Sequence, residues 1–301
     1  DLMPIDMACY FLKYDSTYGS SRSEIKMEQD DLVIDGKKIN YSTVEKIEDL
    51  DWKNKKIDIV INCSGTNKTK LQLEKYLELG IPKVILSSPP DSKEIPIIIN
   101  RYNSEAILNE MPSIVSNASC TTYCVAPILD IIERNIGIDF VNFTTIHCYT
   151  SDQNLQDAYH KDFRRSRAAG VNIIPTTTSA TLVIKQIFPQ LKDKVAGSSF
   201  RVPVINGSIT EFTFSVNRKI STEELIEILS NEASTKYQNM VSLIDDKIVS
   251  SDILDSPFVA VIDKTSIEII DNNKLKLTAF YDNEAGYTFQ LAELIQRYCR
   301  S

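Results

Sequence analysis

Cys120 and His147 are the side chains in this chain best suited to nucleophilic chemistry. Cys120 stands in the run Ser116-Asn117-Ala118-Ser119-Cys120-Thr121-Thr122-Tyr123-Cys124. A strand ends near Ser116, and an apolar helical pattern begins after Cys120 at Val125, Ile128, Leu129 and Ile132. The thiol is therefore expected in the first turn of a helix, where free N–H groups and the helix dipole favour a thiolate. His147 closes the strand-like Thr144-Thr145-Ile146-His147. A cysteine at a helix start with a histidine on another element suits a nucleophile and its base. The same residues also read as packing, because most free cysteines are small buried core residues, and Cys120 and Cys124 fit that description too. The chain has only 2 histidines, His147 and His160, so any imidazole chemistry falls to one of them. The pairing alone leaves the choice open.

A third group of residues points to the kind of substrate. Thr150, Arg164-Arg165-Ser166-Arg167, Thr176-Thr177-Thr178-Ser179 and Arg201 collect hydroxyls and guanidiniums in a chain whose net charge is −8. Such donors match phosphate oxygens. Solvated loops would also carry them; that reading suits Arg167 better than Arg201, which lies inside the strand-like Phe200-Arg201-Val202-Pro203.

These residues need elements to hold them. Asp58 to Cys63, Val84 to Ser87, Pro96 to Asn100 and Ser113 to Ser116 read as short apolar strands, with a helix over Leu71 to Leu79. Strands buried on both faces and alternating with helices imply a mainly parallel sheet. Ligands of such sheets sit at the carboxyl ends of the strands. Ser64-Gly65-Thr66 and Ser87-Ser88-Pro89 stand there, which makes Ser88 a candidate nucleotide contact. Before them, Glu24 to Ser42 reads as a two-strand excursion turning at Asp35-Gly36. From about residue 138 the texture changes. Asp139 to Cys148, Val195 to Val202, Ser208 to Val216, Val259 to Asp263 and Lys274 to Tyr281 read as strands of a second, largely antiparallel sheet, with one clear helix over Thr222 to Tyr237. A closing helix over Glu284 to Arg300 is expected to return to the first domain.

Composition narrows the class. With 43% apolar and 25% charged residues among 301, a collagen-like, mucin-like or largely disordered chain is excluded. No apolar run is long enough to cross a bilayer as a helix, and the acidic balance disfavours a nucleic-acid backbone binder. The 9 glycines are spaced too widely for G-x-G, so no complete dinucleotide or P-loop fingerprint is present. The 6 cysteines have no paired C-x-x-C spacing, which argues against a zinc site or a disulfide framework and makes a reducing cytoplasm the simplest compartment.

Six motifs, in register, resemble phosphorylating glyceraldehyde-3-phosphate dehydrogenases. They are Leu-Lys-Tyr-Asp-Ser-Thr at 12–17, Ser-Asn-Ala-Ser-Cys-Thr-Thr at 116–122, Asp-Ala-Tyr-His-Lys-Asp-Phe-Arg-Arg-Ser-Arg-Ala-Ala at 157–169, Asn-Ile-Ile-Pro-Thr-Thr-Thr at 172–178, Phe-Arg-Val-Pro at 200–203 and Tyr-Asp-Asn-Glu at 281–284. The resemblance implies an α/β fold: a Rossmann-type doubly wound parallel sheet plus an α+β catalytic domain. The first domain would cover 1–119, completed by the helix 284–301, and the catalytic domain 120–283. It implies NAD as cofactor, a phosphorylated aldehyde and inorganic phosphate as substrates, and a homotetramer in which residues 151 to 178 lie against a neighbour's cofactor. Cys120 would attack the aldehyde, with His147 as its acid/base. Thr150 and Arg201, with Arg165 nearby, match the substrate-phosphate site. Ser119, Thr121 and Thr178 match the inorganic-phosphate site, with Ser179 where the family has Gly. Asn283 matches the residue that holds the nicotinamide carboxamide, and Tyr287 the aromatic near the ring.

The departures mark a divergent member. Tyr123 replaces Asn one turn from the nucleophile, Tyr18 replaces a His, and Ala285 replaces a large residue; Asn206-Gly207-Ser208 also departs from the common pattern. The family's first βαβ unit, with its glycine fingerprint, has no counterpart here, and Asp1 falls where the ribose-binding acid is expected. A natural chain longer than this one is therefore expected. Other readings are erythrose-4-phosphate oxidation with water attacking the thioester, a non-catalytic paralogue acting as a binding protein and, weakest, a cysteine peptidase.

Overall fold

A computed structural model describes residues 2–300, so the Asp1 expectation lies outside the described residues. The chain opens with α1 (Ile5–Lys13) and the small hairpin β1 (Tyr14–Asp15) and β2 (Gly19–Ser20). The Asp15 carboxylate accepts the N–H groups of Thr17 and Tyr18, at 2.7 and 2.9 Å, and so shapes the turn. Three antiparallel strands follow, β3 (Ile25–Glu28), β4 (Asp31–Ile34) and β5 (Lys37–Asn40). The expected two-strand excursion is thus a three-strand meander. Its first turn has no glycine, only Gln29 at φ 56, and β3 buries Ile25 alone, so apolar alternation is missing.

The parallel layer is built from α2 (Trp52–Lys55), β6 (Val60–Asn62), α3 (Lys70–Glu78), β7 (Val84–Leu86), α4 (Ser104–Asn109) and β8 (Ile114–Ser116). The strands lie side by side in the order β6-β7-β8, all parallel. Val84 and Leu86 pack with Leu73 and Tyr76 of α3, while Ile85 joins Leu294 and Tyr298 near the carboxyl end. Burial on both faces is why this strand reads as an unbroken apolar run. Pro96 to Asn100 is not a strand. One bridge, Ile97 to Ser116, is flanked by Ile98 N–H to Ser116 O and Ser116 N–H to Pro96 O. The Ile99 N–H is then taken by the Asn103 side chain, which turns the chain away.

The remaining elements are α5 (Cys120–Asn135), β9 (Ile138–Cys148), β10 (Ile174–Thr176), α6 (Ala180–Ile187), β11 (Val195–Val202), β12 (Ser208–Val216), α7 (Thr222–Ser234), β13 (Val241–Ile244), β14 (Ala260–Ile270), β15 (Lys274–Tyr281) and α8 (Ala285–Arg300). Seven strands form one sheet in the order β10-β11-β9-β12-β15-β14-β13. The pairs β11·β9 and β13·β14 are parallel and the other four antiparallel, so the expected mainly antiparallel sheet carries two parallel pairings. Helices α5, α6 and α7 share one core with the sheet, through Val125, Ile184, Leu229, Phe143, Phe212 and Leu277. Gly197 is required where β11 meets α6, since a Cβ there would stand 2.5 Å from both the Phe143 ring and the Thr181 hydroxyl. Helix α6 went unforeseen behind a hydroxyl-rich run, and α7 ends three residues before the expected Tyr237. Helix α8 packs through Leu294 and Tyr298 against Ile85 and Val115 of the parallel layer. No helix among the described residues is long and apolar enough to cross a membrane.

Candidate active site

The turn from β8 into α5 sets the position of the thiol. Ala118 takes φ 53, and its N–H is held by the Ser116 hydroxyl at 3.1 Å. Ser119 caps the helix, its Oγ accepting the Thr122 N–H, so Cys120 is the first helical residue. His147 stands one residue before the end of β9. In the parallel pairing of β9 with β11 its register partner is Arg201. The ladder thus places a guanidinium beside the imidazole without help from any loop. The Cys120 Sγ lies 3.6 Å from His147 Nε2. On the far side of the ring, Nδ1 is 2.8 Å from the Cys148 carbonyl. Arg201 Nη1 is 2.9 Å from the same carbonyl and 2.9 Å from Nδ1. With Nδ1–H and Arg201 Nη1–H both donating to the carbonyl, and none to each other, Nε2 is left bare and faces the thiol.

Burial and the Arg201 charge lower the His147 pKa to about 4, so the ring is neutral at pH 7. Burial also pushes the Cys120 thiol up, against the Thr121 contacts and the Arg201 charge, which pull it down. The expected lowering by helix and imidazole is therefore overridden: a neutral imidazole brings no charge, and withdrawal from water outweighs the helix terminus. The resting pair is a thiol facing a free base. Cys124, one turn on, is fully buried and pushed up to about 12, and Cys148 to about 11.

The other expected residues fall into two groups. Arg165 donates from Nε to the Thr176 hydroxyl at 3.0 Å and pairs with Asp152. Its charge reaches Arg201 and helps to lower the pKa of that guanidinium, after burial itself. Thr150 follows β9 in the segment that Tyr149 N–H ties to the Val204 carbonyl. The Thr178 hydroxyl accepts the Ala180 N–H at 3.2 Å, and Ser179 begins α6 without a side-chain cap. The Thr121 hydroxyl is buried against the Tyr281 hydroxyl at 3.1 Å, and the Ser119 hydroxyl shares a hydrogen bond with Thr122 Oγ1 at 2.8 Å. No hydrogen bond among the described residues joins Ser119, Thr121 and Thr178. The structure thus brings His147 into direct contact with both Cys120 and Arg201 and does not link the three hydroxyls.

Among the residues expected to meet the cofactor, Ser88 is anchored where its carbonyl accepts the Ser116 hydroxyl at 2.8 Å. Asn283 is buried, and its Oδ1 accepts Gly207 N–H at 3.2 Å, Ser208 Oγ at 3.0 Å and the Cys148 thiol at 3.3 Å. Gly207 holds this corner at φ +86, where a Cβ would meet the Ser250 carbonyl at 2.5 Å. With its oxygen saturated, the Asn283 amide nitrogen is the end left to donate. The buried Tyr287 hydroxyl and the Asn117 amide neighbour each other, and neither the hydroxyl nor Asn117 Nδ2 has a further hydrogen-bond partner among the described residues. Polar atoms so placed, together with an oriented amide, fit the carboxamide end of a nicotinamide. Tyr123, in place of the family's Asn, is fully buried, donates to Asn117 Oδ1 at 2.8 Å and packs edge-on to Tyr287 at 6.1 Å. Sequence reasoning missed Cys148 and Asn117. Both are neighbours of marked residues, but their contacts depend on elements far along the chain.

The family model described as glyceraldehyde 3-phosphate dehydrogenase, C-terminal domain, matches residues 119–283, and that of the NAD binding domain matches residues 1–70. A glyceraldehyde-3-phosphate dehydrogenase 2 of Streptomyces avermitilis is 37% identical over 98% of this chain and 88% of its own length. Glyceraldehyde-3-phosphate dehydrogenase 3 of a Nostoc species is 36% identical over 96% of this chain and 86% of its own length. The enzyme of Geobacillus stearothermophilus is 34% identical over 98% and 88%. Since the matches span both halves of the chain and the C-terminal model runs across Cys120, His147 and Arg201, the chain belongs to the glyceraldehyde-3-phosphate dehydrogenase family.

Proposed function

We propose that this chain oxidises glyceraldehyde 3-phosphate to 1,3-bisphosphoglycerate with Cys120 as nucleophile, His147 as acid/base and Arg201 as the phosphate anchor. The contact of 3.6 Å between the thiol and a bare imidazole nitrogen, with a guanidinium on the other side of the ring, carries the reading. NAD is the family's cofactor and, when bound, supplies the hydride acceptor. Cys120 bonds to the aldehyde carbon while its proton passes to His147 Nε2. The imidazolium then faces the new oxyanion and stabilises it. Loss of hydride leaves a thioester on Cys120, and an oxygen of inorganic phosphate attacks its carbon, releasing the thiolate. Arg201, with Arg165 and Thr150, holds the substrate phosphate. A dianion there offsets the positive charge beside Nδ1, so substrate binding itself makes His147 a stronger base.

Ser119, Thr121 and Thr178 are proposed for inorganic phosphate, with Ser179 beside them; Asn283 and Tyr287 for the nicotinamide end; and Ser88, at the end of β7, for the rest of the dinucleotide. The domains are taken as 1–119 with 284–301, and 120–283. Tyr159 and Phe163, 94% and 92% exposed, and Val171 and Ile173 crowd one loop segment. Further copies of the chain, in a homotetramer, would cover them. All the cysteines are free thiols, which suits a reducing cytoplasm. The test is NADH formation by the purified full chain with glyceraldehyde 3-phosphate, with and without inorganic phosphate. Turnover that needs phosphate is expected. Turnover indifferent to phosphate would mean that water takes the thioester, and absence of turnover in both would sink the reading.

A further inference from the structure

Asp282 and Asn283 form the corner between β15 and α8, and the buried Asp282 carboxylate is held by donors from several elements. Its oxygens accept the N–H groups of Glu284 and Ala285 at the start of α8, at 2.9 and 3.0 Å. Among the described residues, only one donor comes from the opening part of the chain: the Tyr18 hydroxyl, 2.9 Å from both carboxylate oxygens and 264 positions away in sequence. That hydroxyl in turn accepts the Asn206 Nδ2 at 2.8 Å. Asn206 is itself buried, and its Oδ1 accepts the Gly207 N–H at 2.8 Å, the same N–H that also reaches Asn283 Oδ1 at 3.2 Å. An unbroken hydrogen-bonded path therefore runs from the β1–β2 hairpin to the amide that faces the cofactor. The hairpin lies within the span matched by the NAD-binding family model, and Asn283 ends the span of the catalytic one.

We infer that Tyr18 is a positioning residue for the nicotinamide end of the cofactor, acting through Asp282 and Asn206 on the orientation of Asn283; this rests on the reading that Asn283 holds the carboxamide. A tyrosine suits the task. Its ring spans the gap between hairpin and corner, and one O–H both donates to the carboxylate and accepts from the amide. Donation to a carboxylate is a charge-assisted bond, stronger and more directional than a neutral one. The phenol stays protonated at working pH, because burial and the neighbouring carboxylate both raise its pKa. Without the hydroxyl, Asn206 keeps only Asp282 as acceptor for its Nδ2, and the Gly207–Asn283 corner is held less tightly.

The experiment measures NAD and ADP-ribose binding by calorimetry on the full chain, unaltered and as Tyr18→Phe and Asn283→Ala. ADP-ribose keeps every contact of the cofactor except those of the nicotinamide. Tyr18→Phe is expected to weaken NAD about 3- to 10-fold, the loss of one partly exposed hydrogen bond to a charged group. ADP-ribose binding should stay within about twofold, and iodoacetamide should label Cys120 at the unaltered rate without cofactor. Equal weakening of both ligands would make Tyr18 a general support of the fold and overturn the inference. A selective loss of NAD in Asn283→Ala but not in Tyr18→Phe overturns the inference alone. A selective loss in neither overturns the role of Asn283 as well, and a selective loss in Tyr18→Phe only overturns the route through Asn283.

Discussion

The catalytic sheet and its three covering helices share one large apolar core, running from Tyr123 on α5 through Phe143 and Phe212 to Leu277, with a small second cluster around Val261 and Phe280. The first part of the chain divides its apolar side chains among smaller clusters, one around Leu73 and Leu86, one around Ile85 and Tyr298, and one around Cys9 and Leu32. The contrast follows what each half must hold. The proposed proton transfer between Cys120 and His147 depends on tenths of an ångström, and both sit on long elements locked into one close-packed interior. A dinucleotide is extended and gripped at many points, so loops at the ends of short strands such as β6 and β7 are adequate. Changes in the catalytic half should therefore cost powers of ten in chemistry, and changes in the first half smaller factors in affinity.

The largest effect is expected at His147. His147→Asn should lower kcat by about 10²–10⁴-fold, measured as the pre-steady-state burst of NADH. The same variant has a pH signature. The folded His147 pKa, about 4, lies below the ordinary 6.5, so on acidification the unfolded chain takes up a proton before the folded chain does. Stability should fall as pH drops from 6.5 towards 4, by about 3 kcal/mol from this group. Urea midpoints across that range should lose this component in His147→Asn. An unchanged burst, or an unchanged acid profile, would remove His147 from the centre of the site.

Arg201 comes next. The proposed contact with a substrate phosphate would be worth about 1.5–3 kcal/mol, so Arg201→Ala should lower kcat/KM for glyceraldehyde 3-phosphate roughly 10- to 150-fold. Unphosphorylated glyceraldehyde should suffer much less. With the guanidinium gone, the His147 pKa should move up from about 4 towards its ordinary value, because Arg201 is one of the two causes holding it down. Equal losses for both aldehydes would assign Arg201 to holding the β9–β11 ladder instead.

These residues differ in how far the sequence alone exposes them. Cys120 was legible because a strand end and an apolar helical period flank it within one short run. Arg201 stood out as a charge inside a strand, yet its contact with His147 needed the β9–β11 register, which joins residues 54 positions apart. The two-sided burial of β7 and the packing of α8 showed in their apolar periods. The third strand of the meander and the loss of strand character after Pro96 did not, because a positive φ at Gln29 and a side-chain cap by Asn103 leave no periodic trace. The sign of the Cys120 shift was misjudged for a related reason: desolvation depends on what packs above the sulfur, and no local motif reports that.

The smallest effect compares one chemical change in both halves. Ser119 caps α5 under the nucleophile, and Thr69 caps α3 beyond the β6 loop, each accepting an N–H from three residues on at 3.3 Å. Thr69 is helped further by Gln72, whose side chain accepts the Thr69 N–H at 3.1 Å. Replacing either by alanine should cost about 0.5–2 kcal/mol of stability, read as similar shifts in the urea midpoint. Their effects on turnover should part company. Fraying the first turn of α5 moves Cys120 itself, so Ser119→Ala should lower kcat by roughly 3- to 10-fold. Fraying α3 disturbs only a loop on the dinucleotide side, so Thr69→Ala should leave kcat in place and raise the KM for NAD slightly. Ser119→Gly separates the cap from the proposed phosphate contact, because glycine at a cap costs only about a few tenths of a kcal/mol. A raised KM for inorganic phosphate in both Ser119 variants, with the fall in kcat confined to alanine, would show that the serine serves the two purposes independently. A fall in kcat of equal size in Thr69→Ala would break the contrast between the halves, since a helix end remote from the thiol would then govern its position as strongly as the one that carries it.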